Sequence, residues 1–450
     1  MNDRRRADTV HETLLARAGE RWVEPRKERT ARLLEFLDDP QRTYRVVHVT
    51  GTNGKTSTSR IIDSIVRAHG LRVGLFTSPH LERFTERIMI DGEPIADAAV
   101  ADAWDEIAPF VEIVDAELAE ADEEPLTFFE LLTALAFVAF SDAPVDVAVI
   151  EVGMGGSWDS TNTADGDVAV FTPIDMDHAD RLGGTIAEIA QVKAGIIKDG
   201  AAVVSARQDA AAERVLRAAA SAHDATIAFE GEGFDLTADR LAVGGQLISV
   251  RGLAGTYDDQ YLPIYGAHQG HNAALAIAAV ESLLGAATQP IAADVLTEGL
   301  AEVTSPGRLQ LVGVSPTVIV DGAHNPHGAR ALATALRDVF DFDEWGVVLG
   351  ALADKDVAGV VAELAPLAAH VFATAPQSDR ASDPDAIADL AEERGAQVSV
   401  HPDVADAAEA AREWAAASDR RAVIIAGSVV LAGEALTAAS AGDWKSGWSA

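Results

Sequence analysis

Four short apolar runs in this chain stop abruptly at small or chemically active residues, and that recurrence limits the fold more than any other feature. Val46–Val49 ends in TGTNGKT, and Val145–Ile150 ends in Glu151-Val-Gly-Met-Gly-Gly. Val168–Phe171 ends in TPIDMDH, and Thr317–Val320 ends in Asp321-Gly-Ala-His-Asn-Pro. Such runs read as strands buried on both faces. Ala-rich stretches with helical spacing lie between them. The alternation predicts an α/β fold with a mostly parallel sheet. In open sheets of this kind ligands bind beyond the carboxyl ends of the strands. One such ending says little, but four in one chain point to a shared cleft.

The first of them, VVHVTGTNGKTS from Val46 to Ser57, has the order strand, loop, helix. The common phosphate loop places a Gly well upstream of its Gly-Lys pair. Here Val49 occupies that place, and Thr52 and Asn53 alone separate Gly51 from Gly54. Even so, Gly51 and Gly54 let the backbone turn closely around an anion. Lys55 reaches the β- and γ-phosphates, and Thr56, Ser57 and the helix behind them complete the arrangement. That helix, Ser57 to His69, puts Ile61, Ile62, Ile65 and Val66 on one face, with Gly70 as its stop. The competing reading is a tight turn with a solvated lysine; the element order favours the phosphate site.

A nucleotide–magnesium complex needs hard oxygen ligands. Glu151, His178 in DMDH and Ser78 in TSPH, after the run Val73–Phe76, each read as strand-terminal candidates. Taken singly, each is better explained as a solvated terminus or a core or capping residue; beside a phosphate loop, they read as ligands. Lys193, in IAQVKAGIIK, reads from its surroundings as an ordinary helical lysine.

Pro306 and Gly307, in Thr304-Ser-Pro-Gly-Arg308, punctuate the pattern and divide the chain into residues 1–303 and 304–450. A new strand–helix alternation is expected from Leu309. Its runs Trp345–Gly350, His370–Thr374, Gln397–Val400 and Ala422–Ala426 predict a smaller Rossmann-like unit. Thr226–Pro263, with its short alternating runs, predicts β-hairpin material at the edge of the first domain.

The balance of 35 basic against 71 acidic residues gives −36, which repels nucleic acid and anionic lipid. An anionic substrate therefore needs a local basic patch. The absence of cysteine excludes disulfides and thiolate chemistry and suits a reducing cytoplasm. No stretch approaches the ~20 apolar residues of a membrane span, and the N-terminus has no signal-type apolar run. The expectation is a cytoplasmic protein with neither nucleic-acid nor membrane partners.

The segments HVTGTNGKTS, GLFTSPHLERFTERI, LTFFELLTALAF, IEVGMGGSWDSTN, DMDHADRLG, VKAGII, GAHQGHNAALA, PGRLQ, DGAHNP, GALADKD and AGSVVLAGE occur in order along residues 45 to 435. With them the sequence resembles the Mur ligase superfamily and, within it, the folylpolyglutamate synthase and dihydrofolate synthase family. The resemblance makes the short Gly-x-x-Gly-Lys loop normal. It implies that Gly51, Thr52, Asn53, Gly54, Lys55, Thr56 and Ser57 hold the triphosphate of ATP, with Asn272, Arg308 and Asp321 as further contacts. It implies that Ser78, Glu151 and His178 hold Mg²⁺, and that Lys193 is carbamylated, which turns a cation into a carboxylate-like ligand. Thr127, Phe128, Phe129 and Glu130, with Trp158, Asp159 and Ser160, would line a pterin pocket. His324 and Ser428 would lie near the incoming glutamate. Arg83 and Arg87, in ERFTERI, are candidates for the basic patch; a solvated loop explains them equally well. The chain departs from the family pattern at Ser157, where Arg is common after the paired glycines, at Val192, where Glu is frequent, and at His271.

The implied reaction is ATP-dependent addition of L-glutamate to dihydropteroate, to folates or to both, through an acyl phosphate. Lys55, Lys193, Arg308 and His324 are the residues expected closest to the chemistry. Another ligase of the superfamily and a non-catalytic nucleotide-binding module are the alternatives, and the retained Glu151, His178 and Lys193 argue against the second. The sequence leaves open a monovalent cation, while the resemblance favours a monomer.

Overall fold

The computed structural model of the chain describes residues 2–18, 26–442 and 444. Eight strands build the larger sheet: β1 (Arg45–Thr50), β2 (Val73–Phe76), β3 (Ile88–Ile90), β4 (Glu93–Pro94), β5 (Val147–Glu151), β6 (Val168–Phe171), β7 (Ala202–Ser205) and β8 (Thr226–Phe229). Their spatial order is β4-β3-β2-β5-β1-β6-β7-β8. Neighbours run parallel except at β3, which pairs antiparallel with β2 and β4. The apolar runs are buried on both faces. Val47, Val49, Val149 and Val170 belong to one hydrophobic core, and Val46, Ala148 and Ile150 to another. The first core takes in helices Lys55–Ala68 and Ala267–Gly285; the second takes in Asp97–Glu120 and Phe128–Asp142.

The segment Thr226–Pro263 differs from the expected hairpin. Its first strand, β8, joins the parallel edge of the larger sheet. It follows helix Ala210–Ala222, so it completes another strand–helix–strand crossover. The rest forms a separate antiparallel sheet of β9 (Asp235–Ala242), β10 (Gly245–Arg251) and β11 (Thr256–Leu262). Gly244, at φ 78°, supplies the tight turn between β9 and β10.

The second sheet contains β12 (Gln310–Val314), β13 (Thr317–Val320), β14 (Glu344–Leu349), β15 (Ala368–Ala373), β16 (Gln397–Val400) and β17 (Arg421–Ala426). Its order is β12-β13-β17-β14-β15-β16, parallel except at β12. The alternation expected from Leu309 thus opens on an antiparallel hairpin, β12–β13, and becomes strand–helix only after β13. The connection at Thr304–Arg308 is tied to both sheets. Ser305 Oγ lies 3.0 Å from Ser57 Oγ, and the Gly322 N–H donates to the Gly307 carbonyl at 2.8 Å. Gly307 and Leu309 lie in the left-handed region, at φ 66° and 42°.

Candidate active site

The carboxyl ends of β1, β2, β5 and β6 face those of β13, β14 and β17 across a cleft of ≈ 840 Å³. The phosphate-type loop forms its floor. Gly51 sits at φ 147°, and a Cβ there would lie 1.9 Å from Thr172 Oγ1. Gly54 sits at φ 87°, and a Cβ there would lie 2.7 Å from Asn272 Oδ1. Both positions therefore require glycine. Helix Lys55–Ala68 starts immediately after, and no side chain caps its N-terminus. Its first N–H groups are left for an anion.

Two lysines converge on one carbonyl. Lys55 Nζ donates to the Gly51 and Thr52 carbonyls at 3.2 and 3.1 Å. Lys193 Nζ donates to the same Gly51 oxygen at 2.8 Å. Lys193 is buried, and burial, reinforced by the charge of Lys55, brings its ammonium down to about 7. It lies on the buried side of helix Ile186–Ala194 with Ile189, Ala190 and Ala194.

Glu151 is 1% exposed and accepts from the Thr56 hydroxyl at 2.9 and 3.1 Å and from the Ser78 N–H. Burial pushes its carboxyl up, while Lys55 and these donors pull it back. His178 does not end a strand as expected. β6 stops at Phe171, and His178 lies on the following loop at φ 50°, heading helix Ala179–Leu182 without capping it. Burial holds its imidazole at about 4, so the ring is neutral. Lys355 of the second sheet reaches it: Nζ is 3.2 Å from His178 Nε2 and 3.3 Å from Asp177 Oδ1. Burial works against the Asp177 anion, but His178, Lys355 and His324 outweigh it and hold the carboxyl at about 2. With His178 neutral, Lys355 is the cation that matters. Asn325 Nδ2 extends this bridge, donating to Asn53 Oδ1 at 3.1 Å and Asp177 Oδ2 at 3.4 Å.

On the second-sheet wall, Asp321 spends both oxygens on backbone. They accept from Leu309 N at 2.9 Å and Ala323 N at 2.8 Å, fixing the connection to the end of β13 beside Arg308. His324 Nδ1 faces the Gly322 carbonyl at 2.9 Å. A carbonyl only accepts, so Nδ1 carries the hydrogen. Burial holds the ring at about 4, which leaves Nε2 bare in the cleft. Ser428 caps helix Val429–Ala441 through Val430 N at 3.1 Å.

The far end of the cleft is lined by Thr127, Phe129, Glu130, Trp158, Asp159 and Ser160. Thr127 and Glu130 form a capping box that fixes the start of helix Phe128–Asp142. Asp159 is held by Met154 N and Thr161 N at 2.9 and 3.0 Å. Two of the residues picked from sequence do not reach the cleft. Phe128 is in the hydrophobic core, because the helix turn that aims Phe129 at the cleft rotates its neighbour away. Arg83 points outward to Asp97 at 2.8 Å and is half exposed. Arg87, across the short turn Phe84–Arg87, faces inward, and its Nε donates to His80 Nδ1 at 2.8 Å. Ser157 does not line the cleft; it packs on Gly195.

Residues 49–280 match the Mur ligase middle domain, and residues 307–429 match the Mur ligase glutamate ligase domain. A dihydrofolate synthase/folylpolyglutamate synthase of Mycobacterium tuberculosis is 44% identical over 445 residues, spanning 93% of this chain and 91% of that protein. The chain belongs to the folylpolyglutamate synthase/dihydrofolate synthase family of Mur ligases. The Mycobacterium tuberculosis folylpolyglutamate synthase complexed with ADP and AMPPCP superposes with a TM-score of 0.92 at 43% identity, covering 97% of this chain and 99% of that one. FolC of Escherichia coli, in complex with DHPP and ADP, gives a TM-score of 0.81 at 28% identity over 94% of each chain. Among the described residues no helix is long and apolar enough to cross a membrane.

Sequence reading passed over several residues that this family member brings to the cleft, chiefly Lys355, Asp177, Arg26 and Arg380. Lys355 lies in GALADKD and Asp177 in DMDH, both conspicuous polar clusters after strands. The missing signal was their pairing, since 178 positions separate them.

Proposed function

We propose that this protein is an ATP-dependent ligase that joins the amino group of L-glutamate to the carboxylate of dihydropteroate, of reduced folates, or of both. The observation that carries the reading is the convergence of Lys55, Lys193 and Glu151 with His324 and Lys355 of the second sheet in one cleft. The division after residue 303 then separates a nucleotide- and pterin-binding unit from a glutamate-binding unit.

Carboxylate is a poor electrophile. Transfer of the γ-phosphoryl group converts it to an acyl phosphate; the glutamate amine adds to the carbonyl, and phosphate leaves. No covalent enzyme intermediate is needed, so positioning and electrostatics do most of the catalysis. Lys55 leaves its backbone carbonyls for the phosphate oxygens, and Arg308 approaches from the connection between the sheets. The bare Nε2 of His324 accepts a hydrogen bond from the glutamate amine, once its extra proton has gone to solvent, and so aims the amine lone pair at the carbonyl. Lys355 and Arg380, cationic side chains of the second sheet's loops, hold the glutamate carboxylates. Phe129 and Trp158 give a flat ring a wall to pack on.

Ser78, Glu151 and His178 would hold Mg²⁺. Among the described residues no three His, Asp or Glu side chains form a ready cage. That fits an ion which takes few protein ligands and completes its shell with phosphate and water. Glu151, buried with only Thr56 and Ser78 as donors, has the hard anionic oxygens such an ion needs. An ion held by these residues would supply positive charge against the phosphate oxygens. Lys193, neutral above about pH 7, is in the form that adds CO₂ to give a carbamate. We place the protein in the cytoplasm, which its lack of cysteine suits, and as a monomer, as the family resemblance implies.

The test is to supply MgATP and glutamate with dihydropteroate and, separately, with tetrahydrofolate, and to weigh the products. A gain of one glutamyl residue with release of ADP is expected for at least one of them; no adduct with either would sink the reading. Lys355→Ala should raise the KM for glutamate roughly tenfold, the worth of one lost charge-assisted hydrogen bond, with the Kd for ADP unchanged. An unchanged KM would remove Lys355 from the glutamate site.

A further inference from the structure

The structure gives His271 a built setting. It opens the second turn of helix Ala267–Gly285, beside Asn272. This end of the helix is docked on the phosphate loop: Gln269 Nε2 donates to Ser57 Oγ at 3.4 Å, and Asn272 abuts Gly54. The His271 ring leans the other way. Its Nδ1 is hydrogen-bonded to Glu230 Oε1, and Glu230 Oε2 accepts from Arg207 N at 3.2 Å. The Glu230 side chain is 3% exposed, whereas that of His271 is 49% exposed and lines the cleft. A buried carboxylate thus clamps one ring nitrogen and leaves Nε2 to the open side. The hydrogen bond to Glu230 raises the His271 pKa above its ordinary value.

Position along the sheet says what meets that nitrogen. Glu230 follows β8, and β8 lies three places beyond β1, which carries the phosphate loop. At ~4.8 Å per strand the two ends are roughly 14 Å apart. Phosphates held at Gly51–Ser57 place the nucleoside end of the ligand away from the loop. The other direction, toward β5 and β2, is taken up by Ser78, Glu151 and the aromatic wall of Phe129 and Trp158. Ala331 and Leu332 of helix Pro326–Val339 line the same cleft as His271 and add apolar surface to it. Apolar walls with a polar group of fixed direction are what a heteroaromatic base requires.

We propose that His271, clamped by Glu230, is a specificity-determining residue for the base of ATP, hydrogen-bonding through Nε2 to the polar edge of the purine. The proposal rests on the ligase reading for the identity of the nucleotide. It assigns His271 to ground-state binding of the nucleoside and not to the chemical step.

Titration calorimetry with two probes, ADP and inorganic tripolyphosphate, tests it on the full chain. His271→Ala should weaken ADP roughly tenfold, the upper end for one lost hydrogen bond, and leave tripolyphosphate binding unchanged. Glu230→Gln, which keeps the ring but loosens its clamp, should weaken ADP by a smaller factor in the same selective way. In turnover assays the KM for ATP should rise while kcat and the KM for glutamate hold. ADP affinity unchanged in His271→Ala overturns the proposal. So does an equal loss for both probes, which would mark a phosphate contact or a damaged fold. A parent protein that binds neither probe would instead refute the ligase reading itself.

Discussion

Lys55→Ala should lose amide synthesis by roughly a thousandfold, about 4 kcal/mol of transition-state stabilisation, while the protein stays folded. Lys55 is the first residue of its helix, where alanine is a good substitute, and its ammonium makes no ion pair among the described residues. Its two partners are backbone carbonyls of its own loop at 3.2 and 3.1 Å. Removing it therefore breaks no buried charge pair. What is lost is a cation that can swing onto phosphate oxygens as negative charge moves between them. The measurement is kcat under saturating ATP, glutamate and pterin substrate, with thermal unfolding as the control. Turnover within tenfold of the parent would take Lys55 out of the chemistry.

Lys193→Met should have an effect of similar size on turnover and the opposite sign on stability. A carbamate cannot form on methionine, so turnover should fall by roughly a thousandfold. For the parent, turnover should drop in CO₂-free buffer and return when bicarbonate is added. Stability follows from the titration. The buried ammonium is held at about 7, against 10.5 for a solvated lysine. Between those values the unfolded chain binds a proton that the folded chain does not. Stability of the parent in CO₂-free buffer should therefore rise with pH from about 7 toward 10.5, and the burial penalty is complete below 7. Lys193→Met lacks this group, so its stability advantage should be greatest below pH 7 and shrink as pH increases. Denaturant midpoints at several pH values read this directly. A constant difference between variant and parent would mean that Lys193 is not desolvated as the structure has it.

The strands and their functional ends were largely legible in the chain. Buried parallel strands must be apolar throughout, and the glycines at 51 and 54 have no substitute given the atoms beside them. What remained hidden depends on direction. Phe128 and Phe129 are chemically alike, and only the rotation of the helix decides which meets the cleft. Arg83 and Arg87 share a motif, yet the turn between them sends one to Asp97 and the other to His80. His178 looked strand-terminal because the loop after β6 cannot be measured from its letters. The bridge of Lys355 to Asp177 and His178 requires both sheets to be placed before it exists at all.

One isotope measurement reaches the common root of these proposals, activation of the pterin-side carboxylate by ATP in the cleft between the two sheets. The substrate carboxylate is labelled with ¹⁸O, the reaction is run with MgATP and glutamate, and the released inorganic phosphate is weighed. One labelled oxygen per amide formed is expected, because the carboxylate oxygen that attacks the γ-phosphorus departs with the phosphate. Amide formation with unlabelled phosphate would contradict it.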